Sequence, residues 1–327
     1  MTFRAVEPHG VTALPGHSFR RFNPCFLSFA LGKIARCLRR MASPVATPIV
    51  WLNGRLLPAT EARISPFDQG LTIGLGAFET LVARDGQPFA FSRHWARLEK
   101  SCAGLGLAVP DRDEARDALI QVAAANRLPA ARLRFTVTAG EGPPGAGRSD
   151  QPATTLLATA VPRPVWGETA SVALLPWARH EHSPLAGLKT TSYAENALAL
   201  AEARRRGADE ALLPNTRGGL CEGSGSNVFL VRDGRLLTPP LASGCLAGVT
   251  RALVLELART LGLAAEETVL PLAALNEAAE AFLTSTTRDI QPIRSIDGTA
   301  LPAAPGPVTR QLQEKWRALF THGPLDP

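Results

Sequence analysis

The chain has 327 residues and a formal net charge of +6, and 45% of its residues are hydrophobic while 20% are charged. This balance predicts a globular protein with room for two domains, and no apolar run is long enough to cross a membrane. The whole net charge arises in residues 1–40, where seven basic side chains face one acidic side chain. The rest of the chain is neutral, so its charge does not indicate binding to nucleic acid.

Residues 1–48 are predicted to be a basic leader outside the fold. They are rich in arginine and poor in acid, as organellar targeting segments are, but Pro8, Pro15 and Pro24 interrupt any long amphipathic helix. Met41 is the only methionine besides the first residue, and a strand-like segment follows it closely. We therefore interpret the leader as a disordered tail or as an artefact of an upstream start site.

Five cysteines are present, with neither a metal-binding spacing nor a paired framework. Cysteines that pair in disulfides are typical of secreted proteins, whereas a reducing cytoplasm is the default for unpaired ones. We expect a cytoplasmic protein with no metal site.

Residues 49–162 are predicted to form a small N-terminal α/β domain. Asn53-Gly54 indicates a tight turn between two short strands. A helix is expected to open at Ser92, and a second helix to run from about Asp113 to Asn126. The alternation of apolar and polar residues predicts two further strands. These are residues 132–138 and 155–161.

Three glycines, Gly70, Gly74 and Gly76, have spacings that suggest a phosphate loop. No strand precedes them and no Lys-Ser or Lys-Thr pair follows, so neither nucleotide fingerprint fits. We interpret them as a turn that lets a strand run close to another backbone.

Residues 163–327 are predicted to form a larger C-terminal α/β domain, reached through a hinge at Pro162-Arg163-Pro164. Asp233-Gly234 indicates a hairpin turn, a strong helix is expected to end near Leu261, and a last helix is expected from about Val308 to Phe320.

Lys189 is the candidate nucleophile of this second domain. The chain has only four lysines, Lys33, Lys100, Lys189 and Lys315. Lys100 and Lys315 stand beside glutamates on polar faces of helix-like runs, whereas Lys189 follows an apolar approach and precedes a cluster of hydroxyl side chains. Partial burial there would lower its pKa and free the amine to attack carbonyl groups.

Three more features of the second domain suggest one ligand. Val249-Thr250 after Gly248 opens a helix and is a plausible anion site, although a plain helix cap is an equal alternative. The hydroxyl run Thr284–Thr287 ends an apolar strand, where such runs are usually turns. Glu222 lies in an uncharged stretch and would need a cation or an N–H partner, unless it is a surface turn carboxylate. An aldehyde acceptor, an anion site and a carboxylate for a ring nitrogen together describe pyridoxal phosphate.

The ordered motifs resemble the class IV pyridoxal-phosphate enzymes, which include branched-chain aminotransferases, D-amino acid aminotransferases and 4-amino-4-deoxychorismate lyases. The resemblance covers about residues 49–320. The motifs are Asp68-Gln69-Gly70, Gly74-x-Gly76-x-Phe78-Glu79-Thr80, His94-x-x-Arg97-Leu98, Lys189, Glu222-Gly223-x-x-Ser226-Asn227-x-Phe229, Gly248-Val249-Thr250-Arg251 and Thr284-Ser285-Thr286.

The resemblance implies a mixed α/β (α+β) fold of two domains, the fold type IV of the D-amino acid aminotransferases, with the cofactor between the domains of a homodimer. It implies that Lys189 binds pyridoxal 5'-phosphate covalently and acts as the catalytic base, while Glu222 holds the pyridine N–H. It also implies a set of phosphate-binding residues. These are Arg97, Val249, Thr250, Ser285 and Thr286.

Within this family the sequence favours the 4-amino-4-deoxychorismate lyases, which form 4-aminobenzoate and pyruvate. Branched-chain aminotransferases usually have tyrosine at the position of Ile73 and five residues after the lysine, where this chain has Ala194. The only tyrosine, Tyr193, comes at four and is a possible substrate contact. Arg134-Phe135-Thr136 lacks the histidine of the D-amino acid enzymes. Arg288 is expected either to meet a substrate carboxylate or to form a surface ion pair.

Two alternatives stay open: an aminotransferase of the same family, acting on branched-chain or D-amino acids, and a pyridoxal-phosphate-binding protein without catalytic activity. Retention of the lysine, the carboxylate and the phosphate set together argues against the second. We expect a small amino compound as substrate and neither nucleic acid nor a membrane as partner.

A protein that begins at Met41 should match the full-length chain in cofactor content and melting temperature, because the predicted body is charge-neutral and its first strand begins near Ile49. Absorbance spectra and thermal unfolding of the two proteins test this expectation. A large loss of stability on truncation would show instead that residues 1–40 pack on the body.

Overall fold

The computed structural model describes residues 47–150 and 153–327, so all but the last two residues of the predicted leader, including Met41, lie outside the described residues. The described chain is a mixed α/β fold, as predicted. The strands are β1 (Ile49–Leu52), β2 (Arg55–Pro58), β3 (Gly76–Arg84), β4 (Gln87–Pro88), β5 (Ala131–Thr138), β6 (Thr155–Pro162), β7 (Ala170–Leu174), β8 (Glu210–Pro214), β9 (Leu220–Gly223), β10 (Asn227–Arg232), β11 (Arg235–Thr238), β12 (Ala265–Glu267), β13 (Glu280–Ser285), β14 (Asp289–Ile296) and β15 (Thr299–Ala300). The helices are α1 (Gln69–Thr72), α2 (Phe91–Leu105), α3 (Arg112–Ala125), α4 (Ala194–Arg205), α5 (Val249–Thr260) and α6 (Pro307–His322).

The first sheet is antiparallel, with the strand order β2-β1-β6-β5-β3-β4. The predicted hairpin between β1 and β2 is confirmed, and Asn53 and Gly54 adopt the positive φ angles of 46° and 84° that a tight turn needs. Helices α2 and α3 bury their apolar faces in one core with this sheet. That core includes Trp51, Leu81, Leu98, Leu119, Leu133 and Phe135.

The second sheet has the order β12-β11-β10-β13-β14-β7-β8-β9, and β15 pairs with β14. It mixes antiparallel pairs with the parallel pairs β11–β12, β14–β7 and β7–β8. Phe229 and Phe282 stack on neighbouring central strands at 4.9 Å between ring centroids, and both are fully buried. They pack in one core with residues of helices α5 and α6, while the predicted turn at Asp233-Gly234 joins β10 to β11.

One predicted helix boundary is wrong. The helix α2 was expected to open at Ser92, but it begins one residue earlier, at Phe91, and Ala90 precedes it in the left-handed region with no side-chain cap. Ser92 lies in the first turn, where its backbone N–H donates to Asp326 Oδ1 at 2.9 Å. A carboxylate from the far end of the chain thus binds a free N–H group of the helix, a partner that local sequence does not reveal.

The predicted domain boundary after residue 162 coincides with the end of β6, and the next strand begins at Ala170. All strands of the first sheet precede this connection in the chain, and all strands of the second sheet follow it. The two sheets nevertheless belong to one compact unit from Thr47 to Pro327, so the division into two domains stays a prediction.

A short segment of the second half of the chain docks on the edge of β3. Strand β4 pairs with β3 only at Ala83 and Arg84, which leaves the beginning of β3 open on that side. There the Phe78 N–H donates to the Lys189 carbonyl at 3.0 Å, and the Thr191 N–H donates to the Gly76 carbonyl at 2.8 Å. A Cβ atom on Gly76 would lie 2.8 Å from the Val137 carbonyl oxygen, so the predicted close approach of two backbones is confirmed.

A buried ionic cluster fixes α2 to β3. Glu79 accepts hydrogen bonds from Arg97 Nε and Nη2 and lies next to His94 Nδ1, each at 2.7 Å, and all three side chains are buried. Burial alone would raise the pKa of Glu79, but the charge and hydrogen bonds of Arg97, with a smaller effect of His94, lower it to about 2. Burial lowers the pKa of His94.

Glu79→Gln should lower the free energy of unfolding by roughly 3 kcal/mol at pH 7, because it leaves the buried Arg97 without its carboxylate. The pKa of Glu79 is lower in the folded chain (about 2) than the ordinary value of 4.5. Its stabilising contribution is therefore complete above pH 4.5 and is lost as the pH falls towards 2. Urea unfolding at several pH values should show the difference between wild type and variant shrinking over that interval.

The matched control is Glu277→Gln, which removes a half-exposed carboxylate paired with Arg232 and should change the stability little. A difference for Glu79→Gln that stays constant between pH 4.5 and 2 would contradict the assignment of this charge.

Candidate active site

A cavity of about 800 Å³ lies between the two sheets. Its wall brings together eight of the nine residues that the sequence singled out. These are Arg97, Lys189, Tyr193, Glu222, Val249, Thr250, Ser285 and Thr286. They come from five separate parts of the chain, so only the fold brings them to one place. These parts are α2, the segment before α4 that contains Lys189 and Tyr193, β9, the amino end of α5 and the end of β13.

Lys189 is held at its backbone and left free at its amine. Its N–H donates to Ser101 Oγ at 3.0 Å, and its carbonyl pairs with β3 as described above. The Nζ atom lies 4.4 Å from the centre of the Phe78 ring. Burial, and then the nearby charge of Arg97, lower the pKa of Lys189 to about 8. More of this amine is unprotonated near neutral pH than in an ordinary lysine, and that is the nucleophilic form.

Glu222 has the partners that its position demanded. Its Oε2 accepts a hydrogen bond from the Leu246 N–H at 2.9 Å, and its Oε1 lies 3.4 Å from Arg179 Nε. Burial raises the pKa of Glu222, and Arg179 and the Leu246 N–H oppose that rise. The carboxylate is buried at the cavity wall, so the alternative of a surface turn is wrong.

Hydrogen-bond donors collect around the amino end of α5. No side chain caps this helix, so the N–H groups of its first turn have no side-chain acceptor. Arg97 Nη1 donates to the Ala247 carbonyl at 3.0 Å, which places the guanidinium beside the helix start. Thr284 lines the cavity next to Ser285, and its Oγ1 is buried without a hydrogen-bond partner. A helix amino end, a guanidinium and hydroxyl groups together form an anion site.

These groups fit pyridoxal phosphate. The anion site suits its phosphate, the partly desolvated amine of Lys189 suits its aldehyde, and the buried carboxylate of Glu222 suits the N–H of its ring. In the part of the chain that the structure describes, the buried Thr284 Oγ1 in the cavity wall has no hydrogen-bond partner, and a bound ligand is the kind of partner that such a group needs. In the described ranges 47–150 and 153–327, no group of three His, Cys, Asp or Glu side chains is placed to hold a metal ion.

Arg134 also lines the cavity, although the sequence drew attention to it only through the histidine missing two residues later. Its guanidinium lies 3.6 Å from the centre of the Phe78 ring, and its Nε donates to Thr136 Oγ1 at 3.1 Å. Among the described residues it forms no ion pair with a carboxylate. The alternation along β5 could have indicated this position, because side chains alternate between the two faces of a strand. Arg132, Arg134 and Thr136 share the face opposite the buried Leu133 and Phe135.

Arg288 lies behind the cavity wall, not on it. Its guanidinium is buried, pairs with Glu210 at 3.3 Å and stacks 3.7 Å from the centre of the Trp166 ring. The predicted surface ion pair is therefore wrong, because the pair is inside the protein. The predicted direct contact with a substrate carboxylate is not supported either, because other partners occupy the guanidinium.

The described residues contain no helix that is both long enough and apolar enough to cross a membrane. Residues 76–296 match the family model described as amino-transferase class IV. The putative branched-chain-amino-acid aminotransferase of Methanocaldococcus jannaschii is 34% identical over an alignment of 281 residues that covers 83% of this chain and 96% of that protein. The D-alanine aminotransferase of Bacillus licheniformis is 31% identical over 81% of this chain and 94% of its own.

Solved structures agree in fold. The branched-chain amino acid aminotransferase of Escherichia coli superposes with a TM-score of 0.80 at 29% identity, over 85% of this chain and 96% of that one. The corresponding enzyme of Thermobaculum terrenum, in its pyridoxal-phosphate form, gives 0.77 at 30% identity, over 85% and 95%. The chain therefore belongs to the class IV aminotransferases, and it is a pyridoxal-phosphate-dependent enzyme.

Proposed function

We propose that this enzyme transfers amino groups from branched-chain amino acids to a 2-oxo acid. The observation that carries the proposal is the match along 83% of the chain to a relative named as a putative branched-chain-amino-acid aminotransferase, at 34% identity. The sequence motifs favoured a 4-amino-4-deoxychorismate lyase, but the comparisons support the aminotransferase alternative better. A non-catalytic role is disfavoured because the free amine, the buried carboxylate and the anion site share one cavity.

In this proposal the cofactor is held by the residues that the resemblance implied. Lys189 would hold it through its aldehyde carbon, and Glu222, supported by Arg179, would accept the N–H of its ring. The phosphate would be held by residues of α2, α5 and the β13 end. These are Arg97, Val249, Thr250, Ser285 and Thr286. The planar guanidinium of Arg97 suits a phosphate dianion. Because Glu79 binds Nε and Nη2 of this group, it fixes the direction of the N–H bonds that are left for the phosphate.

Lys189 is also the proposed proton carrier. When bound, pyridoxal phosphate supplies an electron sink conjugated to the substrate nitrogen. With the cofactor held in the cavity, the Lys189 amine would be the base that takes the proton from the substrate Cα atom and later returns it. The pKa of about 8 suits both accepting and returning a proton near neutral pH. The hydrogen bonds of the lysine backbone to Ser101 and Phe78 keep the amine within the cavity during this exchange.

Substrate recognition is assigned to the groups that the cofactor leaves free. Arg134 has a guanidinium in the cavity without a carboxylate partner, and an α-carboxylate is the group that it is suited to bind. Leu71, Ile73 and Leu185 line the same cavity and offer apolar surface to an aliphatic side chain. Tyr193 lies there too, and its ring is nearly perpendicular to that of Phe78, with 5.4 Å between the ring centroids. It stands one residue from the position expected of a branched-chain enzyme.

We further propose a cytoplasmic homodimer with small amino compounds as substrates, and a cavity between two domains. The support for these statements is the family to which the chain belongs, together with the placement of the cavity between the two sheets.

Lys189→Ala should abolish the visible absorbance of cofactor bound to lysine and its trapping by borohydride, while leaving the far-ultraviolet spectrum unchanged. Lys100 and Lys315 are exposed and offer no substitute. Peptide mapping after borohydride reduction identifies the labelled residue, and Lys100→Ala is the matched control that should keep the label on Lys189. Label on Lys100 or Lys315 in the wild type would overturn the assignment.

Leucine, isoleucine and valine should transfer their amino groups to 2-oxoglutarate with kcat/KM roughly tenfold or more above that for D-alanine, because each methylene in an apolar pocket adds discrimination of that order. Coupled assays of the purified holoenzyme measure these ratios. Formation of 4-aminobenzoate from 4-amino-4-deoxychorismate without an oxo acid, and no transfer from leucine, would instead establish the lyase.

A further inference from the structure

A buried ion pair lies directly behind two walls of the cavity. Arg288 Nη2 lies 3.3 Å from Glu210 Oε2, and the two residues are 7% and 2% exposed. Taking two charges out of water is costly, and such pairs add little net stability compared with apolar residues of the same volume. A role in placing neighbouring groups would account for keeping both charges inside the protein.

Glu210 holds the turn that follows Glu222. Its Oε1 accepts hydrogen bonds from the Ser224 hydroxyl and from the Ser224 N–H, the latter at 3.1 Å, and its Oε2 accepts one from Ser226 Oγ at 3.4 Å. The turn is closed by the Gly223 N–H, which donates to the Ser226 carbonyl at 2.7 Å. Residues 222–226 all line the cavity, so one buried carboxylate sets the shape of this wall.

Arg288 is held on the opposite side and joins a second wall. Its guanidinium stacks on Trp166, and it donates to Gln291 Oε1 and to the Asp209 carbonyl. The backbone N–H of Arg288 donates to Ser285 Oγ at 3.2 Å, so the residue whose side chain pairs with Glu210 is also tied to the hydroxyl segment Thr284–Thr287. The ion pair therefore links the wall that carries Glu222 to the wall that carries Thr284 and Ser285.

We propose that Arg288 and Glu210 are positioning residues that set the distance between the carboxylate wall and the hydroxyl wall of the cavity, and thereby the retention of the cofactor. This inference rests on the proposed placement of pyridoxal phosphate in that cavity. Neither side chain lines the cavity itself, so both act through Ser224, Ser226 and Ser285. Supporting contacts of this kind hold binding groups in their productive geometry.

The test compares four holoenzymes: wild type, Arg288→Met, Glu210→Gln and the double variant. Methionine keeps the length and apolar stem of arginine without its charge, and glutamine keeps the shape of glutamate and one acceptor oxygen. Cofactor release after dilution is followed by the loss of absorbance of lysine-bound cofactor. The melting temperature of each protein and its kcat and KM are measured beside it.

Arg288→Met should release the cofactor about tenfold faster than wild type, on the scale seen when supporting partners of a bound group are removed. The double variant should release it more slowly than Arg288→Met, because no buried charge is left unpaired. Arg294→Met is the matched control. Arg294 lies on β14, which begins directly after Arg288, and it bonds the Thr169 carbonyl and Asp209 but does not touch Glu210. The variant Arg294→Met should therefore release the cofactor at the wild-type rate.

Equal release rates for Arg288→Met and wild type, with only the melting temperature lowered, would overturn the proposal, as would an equally fast release from Arg294→Met. If Arg288→Met does not fold, Glu210→Gln decides: faster release supports the positioning role, and an unchanged rate contradicts it. Borohydride labelling of the wild type separates this result from failure of the proposed function. If Lys189 carries no label, the proposed cofactor placement is wrong and this proposal is wrong with it. If Lys189 carries the label, the release rates test the positioning role alone.

Discussion

The site depends on two backbone hydrogen bonds between halves of the chain that are more than a hundred residues apart. They join Phe78 to the Lys189 carbonyl and Thr191 to the Gly76 carbonyl. Because β4 is only two residues long, the beginning of β3 has free hydrogen-bonding groups, and the segment around Lys189 satisfies them. The amine is thereby fixed to the first sheet, while the carboxylate belongs to the second and the anion site is shared, because Arg97 comes from α2 and meets the start of α5. The cavity exists because the edge of one sheet receives a loop of the other half.

Two arginines at the cavity are likewise held in place by contacts within the protein. Arg97 binds Glu79 with two of its nitrogens and the Ala247 carbonyl with a third, so its orientation is set before any ligand arrives. Preorganised donors cost less to use than mobile ones, since their side-chain entropy is already lost on folding. Arg179 stands in a similar relation to Glu222, where it offsets part of the cost of burying that carboxylate.

Much of this was predictable from residue types alone. The scarcity of lysine singled out Lys189, and the isolation of Glu222 in an uncharged stretch indicated that it needed partners, which the structure supplies. The strands and hairpins followed from alternation and turn residues. The partners themselves were not predictable, because Arg179, Leu246 and Glu222 meet only in the folded chain. Arg288 was misjudged for the same reason: its burial depends on Trp166, more than a hundred residues earlier. The choice of reaction rested on tyrosine spacing counted along the chain, and that spacing does not show that Tyr193 lines the cavity from its shifted position.

The placement of Phe78 has a consequence for substrate geometry. Its ring is 4.4 Å from the Lys189 amine and 3.6 Å from the Arg134 guanidinium, and the electron-rich faces of aromatic rings attract cations. The charge of Arg134 still lowers the pKa of Lys189, but both groups lie beside one buried ring. The ring therefore sets the interval between the Lys189 amine and the Arg134 guanidinium, and a bound molecule must match that interval between its acidic carbon and its negative group.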